Sequence, residues 1–278
     1  MKVFIYKNNY FQKKVSQVIV KTRAVVLREI KYREQSKICL LLTREFGQLS
    51  IILKAGRNPK NKMSGLFSPG NILDTVIYRK STRDIQLVSD ASLVRSPLSE
   101  APDLERFSVL YRVLDLVRYS SGPEEKSLPL FTLLSSTIEQ LCSATDSFQP
   151  ILAWFLLKLV GVLGFGPSIE RCVFSQDELL PAICEHNLTE LNFVHDPGGF
   201  ALPGATATFD ASLQTVPVNR YLLIRAIAAK GGAAMSPEDA PPAEVTAICD
   251  LLQEYCSRHL DRMPHRKHLD IVSRLLSA

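Results

Sequence analysis

The chain has no apolar run of the roughly 18 to 20 residues that a bilayer-spanning helix needs. Its longest candidate, ILAWFLLKLVGVLGF at 151–165, is interrupted by Lys158 and reads as a buried helix. The opening MKVFIYKNNYFQKKVSQ carries charges where a secretory leader needs an apolar centre. A cytoplasmic protein without membrane contact is the expectation. The six cysteines are scattered and none stands in a C-x-x-C pair, which speaks against a dense disulfide framework. The phosphate-cradling G-x-x-x-x-G-K-[ST] is missing, as are H-E-x-x-H and G-x-S-x-G. These absences remove the common ATP motors, zinc proteases and serine hydrolases, and the expectation is no enzyme and no cofactor.

Acidic residues are scarce in one part of the chain. Of 33 Lys and Arg and 28 Asp and Glu, residues 1–80 hold 17 and four, the acids being Glu29, Glu34, Glu45 and Asp74. The remainder holds 16 and 24, so a segment of net +13 precedes one of net −8. The first segment repels itself unless an anion lies near it. Nucleic acid is the commonest such partner, with an anionic membrane surface as runner-up. The charge is most concentrated in LKAGRNPKNK at 53–62, where Lys54, Arg57, Lys60 and Lys62 stand with no acid beside Gly56 and Pro59. Cations on such a loop can approach phosphates closely, release counterions and bind without regard to base sequence.

From Val18 to Arg95 the pattern is of strands: VIVKTRAVVLREI, ICLLLTRE, QLSIILKA, ILDTVIYR and DIQLVSDASLVR, separated by turn-forming residues. Five strands with a long basic connection between the third and fourth predict a small closed barrel of the OB-fold kind. That fold binds oligonucleotides through strands 2 and 3 and the loops L12 and L45. Here L12 falls at residues 31–36 and L45 at 80–84, offering Lys31, Arg33, Lys80 and Arg83, with Tyr32 as a stacking platform. After Pro97 the texture is helical. DLERFSVLYRVLDLVRYS begins behind Pro102, and Pro129 should cut or kink the helix of EEKSLPLFTLLSSTIEQLC. PILAWFLLKLVGVLGF and NRYLLIRAIAAK are further helices, and the last, SPEDAPPAEVTAICDLLQEYCSRHL, should start at Ser236 and Pro237. Residues 166–215 read as irregular, with Pro-Gly and Gly-Gly punctuation that suggests loops and a hairpin. The predicted class is α+β: residues 1–20 an extension or extra strand, 21–96 an OB-fold barrel, and 97–278 an all-helical part containing the irregular 166–215.

TRAVVLREIKYREQSKICLLLTREFGQLSIILKAGR, the pairing of LGFGP with Cys172, and RHLDRMPHRKHLDIV together resemble the bacterial RecO recombination and DNA repair family from about residue 20 to the end. The resemblance implies a non-enzymatic mediator that binds single- and double-stranded DNA and anneals complementary strands. It implies recognition of the acidic C-terminal tail of single-stranded-DNA-binding protein (SSB). With RecR as partner it implies help in loading RecA onto SSB-coated strands, in the bacterial cytoplasm at the nucleoid. The tail site of the family lies in the helical part, where LAWFLLK offers Trp154, Phe155 and Lys158, although no cation precedes Phe155.

The family's four-cysteine zinc site is degraded here. Cys172 remains, but Ser175, Leu202 and Ala205 stand at the other ligand positions, so no metal is expected and 166–215 should rest on Phe174, Phe193 and Phe200. Cys184, His186 and His195 are a weaker substitute set. A nuclease would need clustered carboxylates, which the basic segment lacks. The rival within binding proteins is an RNA-binding OB-fold protein of translation or ribosome assembly, which the barrel alone does not separate from a DNA binder.

Overall fold

The computed structural model describes residues 18–58, 60–204 and 213–260. Five strands come first: β1 (Val18–Tyr32), β2 (Ser36–Thr43), β3 (Gly47–Leu53), β4 (Ile72–Arg79) and β5 (Ile85–Arg95). They close in the order β1-β2-β3-β5-β4, antiparallel throughout except where β3 meets β5. Alternation drives the closure. Ala24, Val26, Cys39, Leu41, Leu49, Ile51, Leu73 and Ile77 point inward, and Phe67 of the β3–β4 connection fills the same interior. The barrel is OB-like. The expected extension at 1–20 lies outside the described residues, save that Val18, Ile19 and Val20 open β1.

The mainly helical remainder contains α1 (Leu104–Ser120), α2 (Leu128–Ser143), α3 (Gln149–Val162), α4 (Leu179–His186), α5 (Val218–Lys230) and α6 (Pro242–His259). Asp103 caps α1, its carboxylate accepting the Arg106 N–H at 2.8 Å. Pro129 does not interrupt a helix; it sits in the first turn of α2 behind the Ser127 cap, where a proline lacks only an N–H that would have had no partner. The start expected at Ser236 is also displaced. The Ser236 hydroxyl accepts the Asp239 N–H in a separate turn, and the extended Pro241 defers α6 to Pro242. The stretch 166–215 is more regular than its sequence suggests. It holds α4 and a small sheet of β6 (Glu190–Val194), β7 (Gly199–Ala201) and β8 (Leu213–Pro217), in the order β7-β6-β8.

Barrel and helices share one core. Val25, Leu27, Leu42 and Ile72, on the outer surface of the barrel, belong to the same buried cluster as Val109, Val113 and Leu116 of α1. A polar contact fixes the seam. Nε2 of the buried Gln48 shares its two N–H groups among the carbonyls of Val117, Arg118 and Ser121 at 3.3, 3.1 and 3.0 Å and the Ser121 hydroxyl at 2.9 Å. Those carbonyls lie at the C-terminal end of α1, where a helix has no N–H donors of its own left to offer them. Next to it, Gly47 has φ +67°, and a Cβ there would run into the Glu125 carbonyl. Replacing Gln48 by Leu keeps the volume but strands the helix-end carbonyls, so we expect a loss of about 1–3 kcal/mol. A urea melt of the Q48L variant against the wild type, with an unchanged slope and a lower midpoint, checks this.

Candidate nucleic-acid interface

Strand β1 carries a bulge between Val26 and Arg28. Before it, Val25 faces the helices; after it the parity flips, and Arg28, Ile30 and Tyr32 take the outer side. Pairing registers then set two rungs across β1, β2 and β3. One is Ile30–Ile38–Ile52, the other Arg28–Leu40–Ser50. Ile30 is 49% exposed, so this face of the sheet presents apolar surface to solvent. Tyr32 extends it, with the Arg33 guanidinium 5.3 Å from its ring centre.

The β3–β4 connection folds over the end of this face. Arg57 donates its backbone N–H to Gln35 O at 2.9 Å, and its guanidinium donates to Glu34 O at 2.9 Å and Arg33 O at 3.3 Å. Beneath it Lys37 is buried, its ammonium held by Glu29 at 2.6 Å and Ser64 O at 2.8 Å. The side chain of Asn61 donates to the carbonyls of Lys54 and Ala55 at 3.1 and 3.2 Å, so the loop is tied to itself. The β1–β2 turn and the loop are thereby one body, which carries Lys31, Arg33, Lys54, Arg57, Lys60 and Lys62 with exposed side chains.

Lys80 and Arg83 stand apart from this cluster. They occupy the β4–β5 turn at the other end of β1, since Arg79 pairs with Val18, and they flank β3 because Ile85 pairs with Ser50. Gln86, fully buried, holds that turn by accepting the Lys80 N–H at 2.9 Å and donating to Lys80 O at 3.2 Å. Among the described residues none of these eight cations forms an ion pair, whereas Arg23, Lys37, Arg44, Arg79 and Arg95 all do. Asp74 is engaged by Arg23 at 2.8 Å, and that hydrogen bond holds its carboxyl below the ordinary carboxylate range. Most of the barrel's unpaired positive charge is therefore displayed on its loops, with Lys21 and Arg28 exposed on β1. Arg28, Ile30, Ile38 and Ile52 are members of the face that sequence reasoning missed. The alternation was visible, but the parity change at the bulge was not.

Two family models cover the chain: Recombination protein O N terminal over residues 17–97 and Recombination protein O C terminal over 101–269. The chain belongs to the RecO family of DNA repair proteins. The DNA repair protein RecO of Chlorobaculum parvum is 69% identical over 261 residues, spanning 94% of this chain and 100% of that protein. That of Pelodictyon phaeoclathratiforme is 56% identical across 93% and 99%, and that of Chloroherpeton thalassium 30% identical across 93% and 100%. A RecO protein is a recombination mediator and not an enzyme. No helix among the described residues is long and apolar enough to cross a membrane.

The residues assigned to the SSB tail are split by the fold. Phe155 is 0% exposed in the core of α3, so its side chain has no surface to offer a partner. Trp154 is half-buried against the same core. The exposed Lys158 donates to Ala228 O at 3.2 Å and has no carboxylate partner among the described residues. Helix α3 is apolar on nearly every side, which is why sequence alone did not separate its inner face from its outer one.

Apart from Cys172, the positions where the resemblance implied zinc ligands hold other side chains here. Burial pushes the Cys172 thiol up, but hydrogen bonds from the Ser175 hydroxyl and from the N–H groups of Ser175, Leu202 and Phe174 outweigh it and leave the thiol below its ordinary value. The Leu202 N–H lies 3.5 Å from Sγ, while the Leu202 side chain packs on the core. A hydroxyl and an aliphatic chain cannot complete a tetrahedral thiolate site. Cys184 and His186 face solvent while His195 is buried, and the described residues hold no group of three potential ligands. Ala205 lies outside the described residues. Aromatic packing ties the region together instead: Phe193 meets Phe200 at 5.2 Å and Tyr255 at 5.5 Å, and Phe200 meets Tyr221 at 4.9 Å. Phe174 packs at its border. Protein purified without chelator should contain well under one zinc per chain by elemental analysis, and a chelator should leave its melting temperature unchanged.

Proposed function

We propose that this RecO protein binds single- and double-stranded DNA through the barrel, promotes annealing of complementary strands and, with RecR, helps load RecA onto SSB-coated single strands. The reading rests on one observation: among the described residues, eight cations without carboxylate partners surround an exposed apolar sheet face on the barrel. The cations answer phosphates, and Ile30, Ile38, Ile52 and Tyr32 answer the faces of unpaired bases. Lys31, Arg33, Lys54, Arg57, Lys60, Lys62, Lys80 and Arg83 carry no arrangement for reading base edges, which suits a protein that acts on any sequence. Trp154 and Lys158 supply an apolar surface and a cation for the acidic SSB tail. The setting of this work is the cytoplasm, at the nucleoid.

Changing Arg57, Lys60 and Lys62 to Ala should weaken binding to all DNA sequences and flatten the dependence of log affinity on log salt by up to about three. Fluorescence anisotropy across a salt series measures both; an unchanged slope returns the loop to a plain solvated surface. Annealing should need no nucleotide, because the chain carries no phosphate-cradling motif. Complementary oligonucleotides mixed with the protein should pair at the same accelerated rate with and without ATP and magnesium, and a strict ATP requirement would sink the mediator reading.

A further inference from the structure

The exposed sheet face does not end at the isoleucine rung. Its next rung, Leu40 and Ser50, forms one wall of a cleft of about 450 Å³. The β4–β5 turn, with Arg83 and Asp84, forms the second wall. Pro123 and Glu124, from the α1–α2 connection of the helical part, form the third. The size falls within the range of about 300–1,000 Å³ usual for small-ligand pockets.

The chemistry of the walls narrows the occupant. Leu40 and Pro123 offer apolar surface to a flat group, and Ser50 offers a hydroxyl. Arg83 brings a cation with no ion pair, and Asp84 a carboxylate with none, among the described residues. Glu124 is already engaged by Arg79 at 2.7 Å, and its backbone N–H donates to Gln48 O at 3.0 Å, so this wall is fixed and its charge is offset. A ligand that fits has apolar faces, N–H donors on one edge for Asp84, and a negative charge outside the cleft for Arg83. A nucleobase on a single strand has all three.

We infer that the cleft between barrel and helical part captures an unstacked base of single-stranded DNA as the strand leaves the isoleucine face. In a duplex the same base is stacked and its edge is paired, so it cannot enter. The cleft thereby favours single strands over duplex, whereas the loop cations serve both. The inference rests on the DNA-binding reading of the barrel and adds the helical part to the binding surface.

The test uses the full chain and three variants: Ser50→Trp and Ser81→Trp, two lining positions that fill the cleft from β3 and from the exposed β4–β5 turn, and the triple alanine variant of Arg57, Lys60 and Lys62. Each cleft variant should lose about tenfold in affinity for a single-stranded oligonucleotide, as expected for one lost base stack, with duplex affinity unchanged. The loop variant should weaken both. Single-strand affinity unchanged in both cleft variants, with the loop variant weakened, overturns the cleft and leaves the DNA reading standing. Both substrates bound as before by the loop variant, with no binding dependent on salt, overturns the DNA reading and the cleft with it. If Ser50→Trp does not fold, Ser81→Trp and photocrosslinking of the wild type decide. An iodouridine oligonucleotide should crosslink to residues 81–84 or to Pro123, and crosslinks confined to 54–62 would reject the proposal.

Discussion

The amide of Gln48 reaches from the barrel into the last turn of α1 and, with the contacts of Glu124 to Arg79 and to Gln48 O, joins two architectures whose remaining seam is largely apolar. Hydrophobic burial is not directional, so the shared core of Val25, Leu27, Leu42 and Ile72 with α1 tolerates small rotations. Hydrogen bonds at 2.9 to 3.3 Å do not. The pairing sets the angle at which the helical part stands against β3. It also brings the α1–α2 connection beside the β4–β5 turn, so the wall formed by Pro123 and Glu124 inherits its position from this contact.

Charge in the barrel follows a division of labour. Pairs such as Arg23 with Asp74 and Arg79 with Glu124 lie where strands or segments meet, and there each cation has a structural partner. Exposed pairs of this kind contribute about 1 kcal/mol or less each, so their main effect is to remove stray charge from the strand surfaces. Most of what remains unpaired among the described residues sits on the β1–β2 turn, the β3–β4 connection and the β4–β5 turn, with Lys21 and Arg28 on β1 itself. Arg57 does both jobs, since its guanidinium bonds to two carbonyls of the hairpin while it stays exposed to solvent.

Much of this was readable from residue order. The five strands announce themselves as β-branched runs between turn-forming residues, and the cationic loop stands out because no acid interrupts it. Other features depend on tertiary context. Pro129 and Pro237 offer the same local chemistry, yet one opens a helix and the other lies within an isolated turn, and which occurs depends on neighbours far along the chain. The elements of 166–215 are too short to show a period. Phe155 and Trp154 are adjacent in a helix apolar all round, so their different burial reflects packing and not pattern.

The bulge in β1 makes one residue count for more than its own contacts. Leu27 is the extra residue between two stretches of opposite parity, with the helix-facing side chains upstream and the exposed rungs downstream. Side chains alternate with a period of two, so drawing Leu27 into the ladder opposite Leu40, with no bulge, would exchange inside and outside for everything after it. Glu29 and Lys31 would take the outer surface, and Ile30 and Tyr32 would turn toward the barrel mouth. The strand works as a hinge of parity: its first half glues the molecule together, its second half meets the outside world, and the chain changes from one task to the other within a single peptide step.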